Sequence, residues 1–385
     1  MRKILLGVAA ILTLCAATAT RGVAQGTDDR IMYVGTYTRA PSKGIYAYRL
    51  RANGELTPLG AAGLAAETEN PSFLAVHPNQ RFLYAVNEVS KYEGQDAGSV
   101  SAFAIDRATG TLTLLNRVSS RGGSPCHVSI DGSGKWLFVA NYGGGNIGAF
   151  PLQPDGKLGE ASTVVAHTGS SANKARQSGP HAHAVTLSPD NRFVLAADLG
   201  IDRVMAYRID PAAGLVQANP QIASLPPGSG PRHVAFRPDG KFVYVLNEML
   251  SSVAALRYDA ARGALTAVQT TSTLPEGFTG DSSGAEIAVH PSGRFLYTSN
   301  RGHDSIAGFR IDAAGGTLTP LDRTPTQGKT PRGFAIDPSG RLLIAANQNS
   351  GTVVVFRIDQ QTGALTPTGT VVQVPTPVSI AFADR

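Results

Sequence analysis

The residues with chemical potential in this chain are a small set of acids, imidazoles and guanidiniums: Glu88, Glu248 and Glu286; His127, His183 and His233; Arg232, Arg301 and Arg332. Both signs of charge beside imidazoles, if gathered in a low-dielectric mouth, shift one another's pKa values and can organise a polar transition state. Acids and cations are nearly balanced, which fits a small anionic or polar neutral ligand. The alternative is a ring of ion pairs that only fills a channel. Because just 16% of the chain is charged, a set of this kind favours a binding or catalytic site. Several motif matches fail on context. Gly280-Asp281-Ser282-Ser283-Gly284 fits the serine-hydrolase pattern but lies in a polar loop, not on a strand–turn–helix elbow. Gly143-Gly144-Gly145-Asn146-Ile147-Gly148 fits a dinucleotide pattern, but a strand follows where a helix is needed, so it reads as a hairpin turn. His181-Ala182-His183 could offer two imidazoles to zinc, but no third ligand follows at metal-like spacing. His77 and His290 fall in proline turns and read as structural.

The elements that must position these residues form an internal repeat. Its core reads Pro-x-x-apolar-x-apolar-x-Pro-x-Gly and then an apolar run ending in Asn, as in PSFLAVHPNQRFLYAVNE from Pro71 and PRHVAFRPDGKFVYVLNE from Pro231. Further copies start at Pro125, Pro180, Ala285 and Pro331, and PVSIAF from Pro377 begins a seventh. Six intervals from Pro71 to Pro377 give 51 residues per unit. Each unit holds four strand-like runs with alternating apolar and polar residues, in the fourth copy 233–236, 242–247, 253–258 and 265–271. Four strands at this period predict an all-β, seven-bladed β-propeller with four antiparallel strands per blade. The seventh unit has only its first strand, and runs 32–38, 44–50 and 56–61 supply the other three, so both chain ends close the last blade.

A first strand lining the channel puts the interblade loops, and those joining second to third strands, on one face. The long loops 89–98, 166–179 and 271–284 are all of these kinds, and this is the face where binding is expected. Asn recurs at the end of the second strand (Asn87, Asn141, Asn247, Asn300 and Asn347), the mark of a turn-former; blade three has Asp198 there. Residues that differ between blades are the functional candidates. At the first-strand entry these include Cys126/His127, His183, Arg232/His233, Glu286 and Arg332; just past the Asn come Glu88, Tyr142, Glu248, Arg301 and Gln348, with His303 two further on. Lys174 and Arg176 lie in the long loop on the same rim.

Composition agrees. Among 385 residues there are 43 Gly and 24 Pro, 42% hydrophobic and 7% aromatic residues, a turn-rich strand composition that excludes disorder and collagen. Residues 1–24 read as a signal peptide: Arg2 and Lys3, an apolar run 4–17, and Gly22-Val23-Ala24 as a small-x-small cleavage pattern, with Ala17-Thr18-Ala19 a second. The propeller domain is then 25–385, exported to the periplasm or secreted, with Cys126 as its single cysteine. No later segment reaches 18 apolar residues, so no membrane span is expected. The formal charge of +6 falls to +3 when Arg2, Lys3 and Arg21 leave, and nothing implies nucleic acid. The oligomeric state is open, a monomer being sufficient.

Tyr33-Val34-Gly35-Thr36-Tyr37-Thr38, Asn70-Pro71-Ser72, Ala140-Asn141-Tyr142, Arg176-Gln177-Ser178-Gly179-Pro180-His181-Ala182-His183, Gly230-Pro231-Arg232-His233, Asn247-Glu248 and Asn300-Arg301-Gly302-His303 resemble the seven-bladed propeller lactonase family. That family includes the propeller-type 6-phosphogluconolactonases and is related to the fungal carboxy-muconate lactonizing enzymes. The resemblance spans about residues 31–385. It implies a lactone hydrolase with no cofactor and no metal, acting on a small-molecule lactone or sugar acid. It carries catalytic roles onto His183, Arg232, Glu248 and Arg301; the other groups expected around the same mouth, His127, His181, His233, Glu286, His303, Arg332 and Arg176, are the expected substrate contacts. The export signal departs from the phosphogluconolactonases, whose phosphorylated substrates lie inside the cell, so the reaction type carries over more readily than the named substrate. A muconate-type cyclisation and a non-enzymatic propeller binding a carbohydrate or protein are the alternatives.

Overall fold

The computed structural model describes residues 29–215 and 220–384. The signal peptide expected over 1–24 lies outside the described residues. Seven antiparallel sheets stand around a central axis. Blade four shows the plan: Pro231–Phe236 innermost, then Phe242–Asn247, Ser252–Asp259 and Ala264–Ser272 outward, each paired with the next. The expected runs thus lie within these strands.

Alternation of apolar and polar residues holds only at the outer edge, as in Ala264–Ser272. Second strands are buried along their whole length, for example Phe82–Asn87 and Phe242–Asn247. They are covered by a neighbouring blade on each face, so they read as continuous apolar runs. The core is accordingly divided into seven layers, one between each pair of adjacent blades. Five of the seven layers are locked at the outer side by one device. The aromatic that opens a second strand lies on a glycine in the following blade's outer turn: Phe82 on Gly156, Trp136 on Gly214, Phe193 on Gly263, Phe242 on Gly316 and Phe295 on Gly363. Two residues on, Tyr84, Tyr244 and Tyr297 donate hydrogen bonds to the carbonyls of Gly156, Gly316 and Gly363, at 2.9, 3.0 and 2.8 Å. His77 and His290 bridge adjacent blades on the face opposite the long loops, meeting the Gly134 and Gly340 carbonyls at 3.0 and 2.8 Å.

Blade seven combines both ends of the described chain. Pro377–Ala383 pairs with Arg30–Thr36 in the register Ile31↔Ala383 to Gly35↔Ser379, and Gly44–Leu50 follows outward. The outer strand expected over 56–61 is broken. It runs as Leu56–Pro58 and Leu64–Glu67 around a short 3-10 turn, Ala61–Gly63, because Gly60 and Gly63 take positive φ and bend the edge. Gly143, Gly144 and Gly145 form the expected turn between Trp136–Asn141 and Asn146–Pro151.

Candidate active site

The inner strands aim their side chains by a shared irregularity. In blade four, Pro231 pairs with Asn247 and His233 with Leu246, which leaves Arg232 with no partner of its own. The same extra residue is Cys126 in blade two, His183 in blade three and Arg332 in blade six. In blade five, Ala285 and Glu286 together face one residue. A β-bulge bends the strand and redirects its side chains. Adjacent residues such as Arg232 and His233 therefore both reach the channel mouth, where strict alternation would send one away.

Glu248 is the hub. It follows Asn247 into the turn after the second strand, fixed by its N–H to the Gly230 carbonyl at 2.7 Å. Its Oε1 accepts Arg176 Nη2 at 2.8 Å; its Oε2 meets Arg232 Nε at 3.1 Å and Arg301 Nη2 at 3.0 Å. Burial pushes the carboxyl pKa up, but Arg301, Arg232 and Arg176 outweigh it and hold the group at about 2. His183 Nε2 lies 4.0 Å from Glu248 Oε2. Burial first, then Arg232, His233 and Arg332, hold this imidazole well below its usual range, so it is neutral at neutral pH. Arg232 also donates to the Ala285 carbonyl, and Arg301 Nη2 to the Gly284 carbonyl at 3.0 Å. Burial lowers Arg301 to about 10, yet it stays a cation at neutral pH.

Further into the channel, Glu286 Oε1 meets His233 Nδ1 at 2.8 Å. Burial raises Glu286 to about 7 against the pull of Arg232, which leaves it poised near neutrality. His127 packs against His233 and the Phe73 ring, with centroids 5.1 and 4.2 Å away. On the opposite wall, Tyr37 donates to both Glu88 oxygens at 3.0 Å, and the Arg332 guanidinium stands 5.4 Å over the Tyr37 ring. The channel between these groups is almost filled, leaving about 10 Å³.

The room for a ligand lies to one side. A cleft of about 560 Å³ opens beside blades three to five, with Glu248 and Arg176 in its lining together with Asn173, Met249, Leu250 and Ser282. Arg176 comes from the long loop after blade two and also donates to Tyr142 Oη at 3.2 Å. His181 stacks on Tyr142 at 4.5 Å between centroids, and its Nδ1 meets the Tyr142 carbonyl at 2.9 Å. His303 stands apart from the hub, bonded to Ser305 at 2.7 Å and edge-on to Phe278. The structure thus brings His183, Arg232, Glu248, Arg301 and Arg176 into one cluster, and His127, His233, Glu286 and Arg332 into the adjoining channel. Sequence reasoning missed Asn173 and the pair Met249-Leu250. The only visible signal was two apolar residues in a turn after Asn247-Glu248, with Leu250 52% exposed.

Comparison with known proteins agrees with this architecture. The family model described as "Lactonase, 7-bladed beta-propeller" matches residues 31–382. A Bacillus subtilis protein named 6-phosphogluconolactonase is 40% identical over 304 residues, 79% of this chain and 84% of the relative. One of the same name from Formosa agariphila is 36% identical over 312 residues, 79% and 85% of the two chains. The solved structure of a Pseudomonas aeruginosa periplasmic gluconolactonase superposes with a TM-score of 0.85 at 34% identity, covering 92% of this chain and 99% of that one. With the seven blades and the matched length together, the chain belongs to the seven-bladed β-propeller lactonase family.

Proposed function

We propose that this protein hydrolyses a sugar-derived lactone at the Glu248 cluster. The observation that carries the reading is a neutral, buried His183 4.0 Å from a carboxylate that three arginines keep ionised, beside a cleft of about 560 Å³. Arg301 and Arg176 hold the lactone carbonyl by charge-assisted hydrogen bonds and stabilise the oxyanion that forms as water attacks. His183, neutral and with the ionised Glu248 4.0 Å from its Nε2, takes the proton from that water, and the carboxylate stabilises the resulting imidazolium. The tetrahedral intermediate expels the ring oxygen, which receives the proton back from His183, so the product is an open hydroxy acid. Arg232 keeps Glu248 ionised and oriented. His181 and His303 on the rim, and His127, His233, Glu286 and Arg332 in the channel, take the sugar hydroxyls and any charged substituent.

The names of the relatives support lactone hydrolysis as the reaction type. The signal-like residues 1–24 support an exported enzyme and hence a lactone available outside the cytosol, as does the periplasmic relative. The test is a panel of aldonolactones, with and without a phosphate, followed by pH-stat with spontaneous hydrolysis subtracted, on cytosolic and extracytoplasmic fractions and on purified protein. At least one lactone is expected to be accelerated, with the activity outside the cytosol. His183→Ala and Glu248→Gln are expected to lose about a hundredfold or more in kcat. If both variants keep the wild-type rate on every active lactone, the residue roles are wrong; if no lactone is accelerated, the reaction is.

A further inference from the structure

We propose that Asp198, acting with His167, is a positioning residue that clamps both ends of the loop presenting Arg176 to Glu248. The inference rests on Arg176 belonging to the site proposed above. Its starting point is an exception in the repeat. In four blades the Asn that ends the second strand donates its amide to a carbonyl of the preceding interblade segment: Asn87 to Glu69 at 2.5 Å, Asn141 to Ser120 at 2.9 Å, Asn300 to Thr273 at 3.2 Å and Asn347 to Thr326 at 3.1 Å. His167 occupies in blade three the place of Ser120, Thr273 and Thr326. Its N–H bonds Gly145 O at 3.0 Å, as theirs bond Gly98, Ser251 and Asp304 at 3.0, 2.9 and 3.0 Å.

Here the polarity is inverted. The His167 side chain turns inward, and its Nδ1 meets Asp198 Oδ2 at 2.6 Å, both side chains fully buried. Asp198 Oδ1 accepts the N–H groups of His181 and Gly200 at 2.8 and 2.9 Å. His167 opens the loop and His181 closes it, so one carboxylate ties down both ends. Three donors converge on two acceptor oxygens, which an amide with a single oxygen cannot match in the same arrangement.

Between these ends the loop is folded on itself. Gln177, fully buried, donates to the Leu199 carbonyl at 2.9 Å and accepts from Asn173 N at 3.0 Å. Ser171 donates to Asp202 at 2.6 Å, and Asp202 in turn accepts from Gly228 and Gly230 at 2.7 and 2.6 Å, just before Arg232. Arg176 stands on this platform while its own side chain is 44% exposed, so its direction depends on the backbone beneath it. Its bond to Glu248 spans blades that share no strand pairing.

The experiment uses the full chain. In Asp198→Ala, hydrogen exchange at the Ser171, Arg176 and Gln177 amides is expected to rise about tenfold or more relative to the rest of the ring. On the lactone found active in the panel, kcat/KM is expected to fall about ten- to a hundredfold. It should match Arg176→Ala, and the double variant should be no worse than either single one. Asn347→Ala, the equivalent loss in blade six, is the control for a merely structural role, with loop exchange and KM as in wild type. His167→Ala frees one end only and serves if Asp198→Ala does not fold; it should loosen the same amides to a lesser extent. The proposal is overturned if neither variant alters loop exchange beyond Asn347→Ala, or if the Asp198 and Arg176 effects multiply. If the exchange result holds while the wild-type protein opens no lactone, the clamp stands and the reading of the activity falls.

Discussion

Glu248 and Glu286 both sit among the arginines of the mouth, yet their carboxyls are driven in opposite directions. Three guanidiniums bring Glu248 down to about 2, whereas Glu286, bonded to a neutral imidazole, is left to the effect of burial and rises to about 7. Both start from an ordinary 4.5. Between about pH 2 and 4.5 the unfolded chain holds the Glu248 proton and the native one does not, so this group's stabilisation grows with pH. Between about 4.5 and 7 the native chain holds the Glu286 proton and the unfolded one does not, so stability falls as pH rises. Melting temperatures against pH should show this by difference. Wild type minus Glu248→Gln should increase from about pH 2.5 to 5, and wild type minus Glu286→Gln should decrease from about pH 5 to 7.5. A slope of the opposite sign in either difference would contradict the assignment. At this scale the sequence was informative about residue types, because the candidates are those that differ between repeats. It could not say that Arg176 meets a carboxylate 72 positions away, since a loop's path over the rim is set by buried anchors such as Gln177 and Asp198.

Two local devices turn the repeat into a scaffold. One is the bulge at the start of the inner strands, which sends Arg232 and His233 to the same side; alternation alone, the pattern a reader of sequence relies on, would separate them. The other is the contact of a glycine with the preceding blade's aromatic. Gly316 is buried with φ +73°, and a Cβ there would overlap the Phe242 ring. Gly369 has φ +88° but open space around it. Gly369→Ala should therefore cost about 1–2 kcal/mol from the backbone alone. Gly316→Ala should cost more than about 3 kcal/mol, because overpacking adds to the same strain. Denaturant melts of the two variants compare them directly, and equal losses would mean that the aromatic contact contributes nothing. The second-strand aromatics were visible in the repeat, as in PDGKFVY from Pro238. Their contact with a glycine of the next blade was not, because it joins residues about 70 positions apart.

The whole molecule is a ring of seven sheets whose closure depends on pairing between Pro377–Ala383 and Arg30–Thr36. Arg30 and Asp384 add an ion pair beside it. Removing residues 377–385 would expose the almost wholly buried Arg30–Thr36 as an unpaired edge. The truncated protein should be recovered as aggregate or oligomer by size-exclusion chromatography. A circular permutant that joins the two ends and opens at Gly277, an exposed loop position with nothing packed on it, should stay monodisperse with wild-type strand content. A soluble, monodisperse truncation would refute the role of closure. The ring was legible from one count, the seven recurrences at a period of 51, because each blade repeats the same turn chemistry. What the count could not supply was the position of the empty volume: off the axis, beside blades three to five, with the axis itself packed by side chains. The closure also carries a consequence for folding. The strand that seals the ring, Pro377–Ala383, lies about 350 positions from its partner Arg30–Thr36, whereas the other strand pairs of each blade join neighbours in the sequence. The Glu248 cluster, on the middle blades, therefore rests on pairings far more local than the one that closes the ring. Bringing together ends so far apart carries the largest loop-closure entropy of any pairing in the fold, and until it forms Arg30–Thr36 offers its free side to other chains.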